Sequence, residues 1–250
     1  MSESNAVLDE VARLIAAEEF GSRATVVGGP AIGQSAVIQS GAVTVGSLPV
    51  ELIEDTVADA HALLDRERSS TLTYGAQQVY VESIVPRPHM VIFGAVHIAQ
   101  ELLAIARRLG FHVTVSDARA AFTTVERFPD ADRLMIGWPD QLHLEFDRRT
   151  YVVALSHDSR FEEPLWPLVL PSPAAYIGAM GSSRTAARRR ERLLAEGFSP
   201  DQVDRIHGPI GLKLGAESPA EMAVAIIAEI IESRARPNLP LQLRGEVEQL

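Results

Sequence analysis

The stretch "HMVIFGAVHIAQELLAIARRLG" at residues 89–110 decides the fold. Residues 90–93 form a continuous apolar run that is typical of a strand buried on both faces, and residues 97–109 repeat apolar side chains at helical spacing. Gly110 follows the last helical position, where glycine commonly ends a helix. The turn Gly94–His97 joins the two elements. The stretch therefore predicts the first strand, turn and helix of a nucleotide-binding βαβ unit.

This turn departs from the dinucleotide fingerprint G-x-G-x-x-G/A, because Val96 stands where the second glycine belongs. That glycine lets the backbone approach a pyrophosphate, so valine counts against a standard site. Asp117 follows about 20 residues later, which is the spacing of the acid that holds a ribose. It favours NAD over NADP, although Arg119 weakens that preference. The alternative is a turn that only connects a strand to a helix. The candidate nucleotide ligands are Gly94, Ala95, Val96, His97, Asp117 and Arg119.

Apolar strands alternate with helical segments through the rest of the chain, as in "FHVTVS" (111–116), "YVVALS" (151–156) and "AAYIGAM" (174–180). This alternation predicts an α/β fold, a Rossmann-like parallel sheet with helices on both faces. Before it, an amphipathic helix and short β-rich runs separated by Gly, Pro and Ser predict a smaller α+β domain. The connector "PRPH" places the boundary between residues 1–85 and residues 86–250, the latter including an extended tail.

Composition narrows the function classes. The chain has 250 residues, of which 46% are hydrophobic, and a net charge of −10 that argues against general nucleic-acid binding. It has no cysteine, which excludes disulfides, thiolate metal sites and thiol nucleophiles. Its seven histidines show no H-x-x-x-H or H-E-x-x-H pairing, so no metal site is predicted. Neither a secretory signal nor a membrane span is expected, and the predicted location is the cytoplasm.

A second strand–glycine loop–helix unit occurs at "YIGAMGSSRTAARRR" (176–190). The helix is expected to begin near Ser182 or Ser183, which makes its N-terminus a natural anion site. Arg184 lies in the first turn and is suited to grip a phosphate. The other arginines of this helix are predicted to form a solvated face. They are Arg188, Arg189, Arg190 and Arg192.

Two further loops follow predicted strands. His157 and Asp158, in "ALSHDSR", fall at the carboxyl end of a strand, where open α/β sheets bind ligands. His157 is a candidate proton carrier or ligand contact, and the competing interpretation has Asp158 capping a helix with His157 packed beside it. The Gly-rich segment 207–221 is either part of a pocket wall or a structured connection without ligand contact.

These blocks together resemble the XdhC/CoxI family, the accessory proteins of molybdenum hydroxylases such as xanthine dehydrogenase. The similarity extends over residues 89–235, in the family's order: F-G-A-G-H, D-x-R, E-R-F-P-x-A-D, T-H-D, Y-I-G-x-x-G-S-x-R-T and P-I-G-L-x-x-G-x-x-T/S-P-x-E. Each block alone is weak, and the combination is specific. The second loop, already a candidate anion site, is one of these blocks, and its candidate cofactor ligands are Gly178, Gly181, Ser182, Arg184 and Thr185.

The resemblance implies a protein that binds molybdenum cofactor, protects it during sulfuration and delivers it to an apo-enzyme. Its expected partners are the molybdenum hydroxylase apo-enzyme and a cofactor sulfurase. The family's N-terminal glycine turn, G-S-x-x-G-G-C/A-x-E, is altered here: Gly46, Ser47 and Glu51 match, but Leu48-Pro49 replace the paired glycines. The cysteine thought to hold the cofactor in some members is absent. The pterin phosphate would then depend on backbone amides and Arg184.

Two other functions remain open at this point. An NAD-dependent oxidoreductase of unknown substrate would use His157 as its proton carrier, although no Ser/Tyr-x-x-x-Lys arrangement accompanies it. A scaffold that binds a partner protein would need no small molecule, and Val96 and the altered glycine turn favour it. A cofactor-handling chaperone is favoured over a catalyst, and an exposed apolar face in the N-terminal part would fit a homodimer.

Overall fold

A computed structural model describes residues 3–156, 158–234 and 243–247. The described chain forms two compact units, one made of residues 3–86 and 243–247 and the other of residues 87–234. Residues 243–247, which the sequence groups with the second domain, thus belong to the first unit. No helix in the described ranges is both long and apolar enough to cross a bilayer.

The first unit is an antiparallel sheet with two helices. Its elements are α1 (Glu3–Ala17), β1 (Gly21–Gly28), β2 (Ser35–Gln39), β3 (Ala42–Gly46), α2 (Val50–Leu64), β4 (Ser70–Tyr74), β5 (Gln77–Ile84) and, from the far end of the chain, β12 (Glu246–Val247). The strand order is β12-β4-β5-β1-β2-β3, with every neighbouring pair antiparallel. Apolar residues of the sheet and of α2, such as Leu52, Leu63 and Val79, form its main core.

The second unit is a parallel sheet. Its strands are β6 (His89–Phe93), β7 (His112–Asp117), β8 (Arg133–Ile136), β9 (Thr150–Ala154), β10 (Tyr176–Ala179) and β11 (Ile206–His207). Its helices are α3 (His97–Arg108), α4 (Ser159–Glu162), α5 (Trp166–Val169), α6 (Ser183–Ala195), α7 (Pro200–Val203) and α8 (Pro219–Arg234). The strand order is β11-β10-β9-β6-β7-β8, which is the Rossmann order 3-2-1-4-5-6 counted from β8. The predicted fold class is confirmed.

Alternation along β6 explains why both faces of this sheet are covered. Met90 and Ile92 point into a core shared with α3 and α8, whereas Val91 and Phe93 point into a second core that contains Trp166. All four strand residues are at most 1% exposed. A strand buried on both faces must be apolar at successive positions, which is the pattern seen in the sequence.

The last described residues of the chain are anchored to the first unit by a buried carboxylate. Asp59 on α2 is 1% exposed and accepts the backbone N–H groups of Arg244 and Gly245 at 2.7 and 2.8 Å. The Tyr74 hydroxyl donates to the same carboxylate at 2.8 Å. Immediately after Gly245, β12 pairs with β4 and extends the sheet by one strand. Asp59 therefore fixes the register at which this segment joins the sheet.

We expect Asp59→Ala to destabilise the first unit by about 1–3 kcal/mol, because one buried and two partly buried donors lose their acceptor. Hydrogen exchange should show faster exchange of the amides of β4 and residues 244–247. Arg244→Ala is the matched control: it keeps the backbone N–H and removes only exposed ion pairs to Glu54 and Asp55, which contribute little. Equal exchange rates in the two variants would contradict the anchoring role of Asp59.

Candidate functional site at the carboxyl edge of the parallel sheet

The chain reverses its direction of progress across the parallel sheet between β6 and β9, and the crevice outside their carboxyl ends is where such sheets bind ligands. Gly94 closes the floor of this crevice. It has φ of 114°, and a Cβ there would lie 2.9 Å from the Ser156 nitrogen and 3.2 Å from the Leu155 carbonyl carbon. Only glycine allows this approach between the two loops.

The first loop uses most of its amides internally. The N–H groups of Gly94, Ala95 and Val96 donate to the Ser116 carbonyl, the Asp117 carboxylate and the Gly94 carbonyl, at 2.7, 2.9 and 2.9 Å. A phosphate at this turn would find only the amides of His97 and Ile98 without an acceptor among the described residues. Most backbone donors of this turn are therefore engaged within the protein.

Asp117 is engaged in the same way. Its carboxylate is 3% exposed and accepts the Ala95 amide, the Arg119 amide and two guanidinium N–H groups of Arg119, all between 2.9 and 3.0 Å. Burial opposes ionisation, but these hydrogen bonds outweigh it and hold the pKa of Asp117 below its ordinary value. Arg119 also lies over the Phe122 ring at 4.3 Å. Asp117 thus connects the first loop to Arg119, and a ribose would have to displace these contacts.

Val96, which the sequence weighs against a standard pyrophosphate site, lies immediately before the first residue of α3. Its side chain is half-buried and packs against the core that contains Ala95 and Ala99, while its extended backbone precedes α3. His97 is exposed at the first position of the helix.

The second loop is open by comparison. Ser182 caps α6, and its hydroxyl accepts the Thr185 amide at 3.2 Å and contacts the Thr185 hydroxyl at 3.0 Å. Within the described chain, the four successive amides from Gly181 to Arg184 have no acceptor. The Arg184 side chain is exposed and forms no ion pair with any described residue. The Met180 amide donates to the Ala154 carbonyl, so this loop begins directly beside the end of β9.

The two candidate glycines of this block have different surroundings. Gly181 lies in the loop with φ of 143°, and a Cβ there would lie 3.0 Å from the Thr185 side chain. Gly178 is buried within β10, where a Cβ would lie 2.4 Å from the Ile210 side chain. Gly178 therefore makes room for a packed isoleucine, and Gly181 shapes the open loop.

The loop after β9 brings more charge to the crevice. Asp158 accepts the Arg160 amide and two guanidinium N–H groups of Arg160 at 2.8 to 3.1 Å, and the Asp158 amide donates to the Ser156 hydroxyl. The Arg160 side-chain bond comes first among the contacts that hold the pKa of Asp158 below its usual range. His157, the predicted proton carrier, lies outside the described residues.

The prediction that the later arginines of α6 form a solvated face is wrong for Arg189. Its side chain is 6% exposed, pairs with the buried Glu162, and donates from Nη2 to the Met180 carbonyl at 2.9 Å. The guanidinium also lies over the Trp166 ring at 5.4 Å. The sequence does indicate this burial, because Arg189 lies four residues before the buried Leu193 and therefore shares its helix face.

A buried polar cluster that sequence reasoning missed joins the opposite face of the sheet to α8. Glu229 accepts the Tyr176 hydroxyl and the Gly211 amide, and its Oε1 lies 3.7 Å from His207 Nδ1. Burial and the bond to Glu229 raise the pKa of Tyr176 far above its ordinary value. This cluster anchors the start of the Gly-rich segment 207–221. Among described residues, no three His, Asp or Glu side chains form a metal-binding group.

The altered N-terminal turn is filled rather than open. A Cβ at Gly46, whose φ is 82°, would lie 2.2 Å from the Ser35 carbonyl oxygen, so glycine is required there. Leu48 is 4% exposed and packs with Leu52 in the core of the first unit, and Pro49 precedes α2. The Leu48 side chain is thus part of the hydrophobic core of the first unit.

Comparison with known proteins identifies the second unit. The family model of the XdhC Rossmann domain matches residues 90–230, more than half of the chain. A Bacillus subtilis protein whose name describes a probable xanthine dehydrogenase subunit is 34% identical over 160 residues. The Escherichia coli "Molybdenum cofactor insertion chaperone PaoD" is 29% identical over 97 residues. These matches cover 63% and 39% of this chain, but only 46% and 30% of the two relatives.

A solved structure supports the same fold. The crystal structure of a Bacillus halodurans protein described as a xanthine dehydrogenase superposes with a TM-score of 0.69 at 21% identity, covering 93% of this chain and 66% of that one. The chain spans less than half the length of the curated relatives named above. The family match, the strand order and the ordered series of motifs lead to one conclusion: the chain belongs to the XdhC family.

Proposed function

We propose that this protein is an accessory factor for the maturation of a molybdenum hydroxylase, and that it binds the phosphate of molybdenum cofactor at the loop Gly181–Arg184. The single observation that supports this proposal is a row of four successive backbone N–H groups, from Gly181 to Arg184, that have no acceptor in the described chain. They lie beside the carboxyl end of β9. Backbone donors at a helix N-terminus bind phosphate without needing a positive side chain. Arg184 is free to add a charge-assisted bond.

The first loop has a different role in this proposal. Its amides and Asp117 hold each other, so it shapes the crevice without contributing many donors. The residues from Gly94 to His97 form one wall, and Arg119 and Asp158 bring opposite charges to the rim. NAD binding is less well supported, because the acid that would hold a ribose is already engaged.

The names of two relatives support the choice of cofactor and partner. One is called a molybdenum cofactor insertion chaperone and the other is named as part of a xanthine dehydrogenase. The expected client is therefore the apo-form of a molybdenum hydroxylase, and a cofactor sulfurase is an expected second partner. Because the chain has no cysteine, the first unit would not hold the cofactor through a thiolate.

We expect the protein to co-purify with pterin close to one per chain when it is expressed in a host with intact molybdenum-cofactor synthesis. The released pterin is measured by its fluorescence after oxidation. Arg184→Ala should reduce the yield at least severalfold, because it removes a charge-assisted contact to the phosphate. Pterin no higher than in an unrelated protein purified from the same host would exclude the proposed function and favour a scaffold that binds only protein.

We expect Arg184→Ala to weaken pyrophosphate and ADP-ribose binding by about 10- to 100-fold in calorimetry, the equivalent of one hydrogen bond to a charged group. Arg188→Ala is the matched control, since Arg188 is an exposed arginine one turn further along the same helix. Titrations with NAD and NADP belong in the same series. Equal losses in the two variants would show that overall charge, not the loop, attracts the anion.

We expect Asp117→Asn to lower the free energy of unfolding by about 2–3 kcal/mol at pH 7, because the carboxylate charge that accepts bonds from Ala95 and Arg119 is lost. The folded-state pKa of Asp117 is lowered, so its stabilisation is present above the ordinary carboxyl pKa and is lost as the pH falls through the lower folded value. The difference between variant and wild type should therefore shrink below about pH 4. Denaturant titrations at several pH values check this, with the exposed Asp130→Asn as control.

A further inference from the structure

A further pocket lies beside α6. Its volume is about 500 Å³, within the range of small-molecule sites, and it is bounded by α6, α7 and the residues around β11. Most of its lining is small or apolar, including Ala186, Ala187, Val203, Ile206 and Pro209. Ser183 also lines this pocket and belongs to the open loop as well, so the two sites are neighbours.

One buried hydrogen-bond donor of a residue that lines this pocket has no partner among the described residues. Arg189 Nε and Nη2 are satisfied by Glu162 and the Met180 carbonyl, but Nη1 is buried and has no acceptor in the described ranges. A Cβ placed on Gly208 would lie 3.4 Å from Nη1 and 3.5 Å from the Ala186 Cβ. Because Gly208, Ala186 and Arg189 all line the pocket, Nη1 borders the space left by the missing side chain.

The charges of the pocket select the kind of ligand. Glu162 neutralises Arg189, so the unpaired N–H offers a hydrogen bond without net positive charge, which suits a carbonyl oxygen better than a phosphate. Asp204, 57% exposed and paired with Arg190 on one side, also lines the pocket and can accept further hydrogen bonds. A donor and a carboxylate acceptor between small apolar walls match a flat ring with a carbonyl and adjacent N–H groups.

We propose that this pocket binds the pyrimidinone ring shared by guanine and pterin. The ring carbonyl accepts a hydrogen bond from Arg189 Nη1, and the N–H edge of the ring donates to Asp204. The pterin source rests on the proposed function, whereas a guanine nucleotide would supply the same ring independently of it. An adenine ring carries an amino group in place of the carbonyl and would leave Nη1 unpaired, so the pocket discriminates against it.

Calorimetry with GMP, AMP and unsubstituted pterin tests the inference. The two nucleotides share a phosphate, so their difference reports on the ring, and we expect GMP to bind at least 10-fold more tightly than AMP. Gly208→Ala places a methyl group against Nη1 at ordinary contact distances and should remove most of that preference. Asp204→Asn, at an exposed position, should weaken GMP and pterin while leaving AMP unchanged. Arg188→Ala should change none of the three affinities.

The outcomes separate the two proposals. Equal affinities for GMP and AMP that Gly208→Ala does not alter overturn the pocket assignment. Co-purified pterin that Gly208→Ala retains at wild-type yield leaves the proposed function standing and removes this pocket from it. Gly208-dependent GMP binding without co-purified pterin assigns the pocket to a guanine nucleotide and counts against the proposed function. If circular dichroism shows that Gly208→Ala is unfolded, the GMP preference of Asp204→Asn decides.

Discussion

The backbone of Gly94 lies against the backbone of Leu155 and Ser156, and the carboxyl edge of the parallel sheet depends on this contact. β6 and β9 are hydrogen-bonded neighbours, yet their following segments diverge, one toward α3 and the other toward α4. A side chain at residue 94 would push the two loops apart and open the floor of the crevice. Glycine at residue 94 is therefore required for the packing of these two segments, whether or not a ligand binds.

The two glycine loops show how similar sequence patterns can have different chemical capacities. In the first, a buried carboxylate and two carbonyl oxygens accept the N–H groups of Gly94, Ala95 and Val96, so most of its backbone donors are engaged. In the second, the capping serine accepts only one amide of α6 through its side chain, and the amides before it remain open. The two loops therefore differ in the number of unpaired backbone donors among the described residues, and such donors at a helix N-terminus are what an anion needs.

Much of the architecture was predictable because it follows from local patterns. The apolar runs beginning at residues 90 and 151 can be buried only in a sheet covered on both faces. What the sequence could not predict are pairings between distant residues. Asp117 looks like a ribose ligand until its partners are known, and Arg189 looks solvated until Glu162 is brought beside it.

The contact between Asp59 and the backbone of residues 244 and 245 joins positions 185 and 186 apart in the chain, with the whole parallel-sheet unit between them in sequence. During synthesis, β1 to β5 leave the ribosome long before β12 exists, so the first sheet must form with its β4 edge unpaired. The last strand can be added only after the intervening unit has been made. The pairing of β12 with β4 is thus available only to a chain whose synthesis has passed the second unit. A nascent chain that stops short of residue 244 lacks this strand.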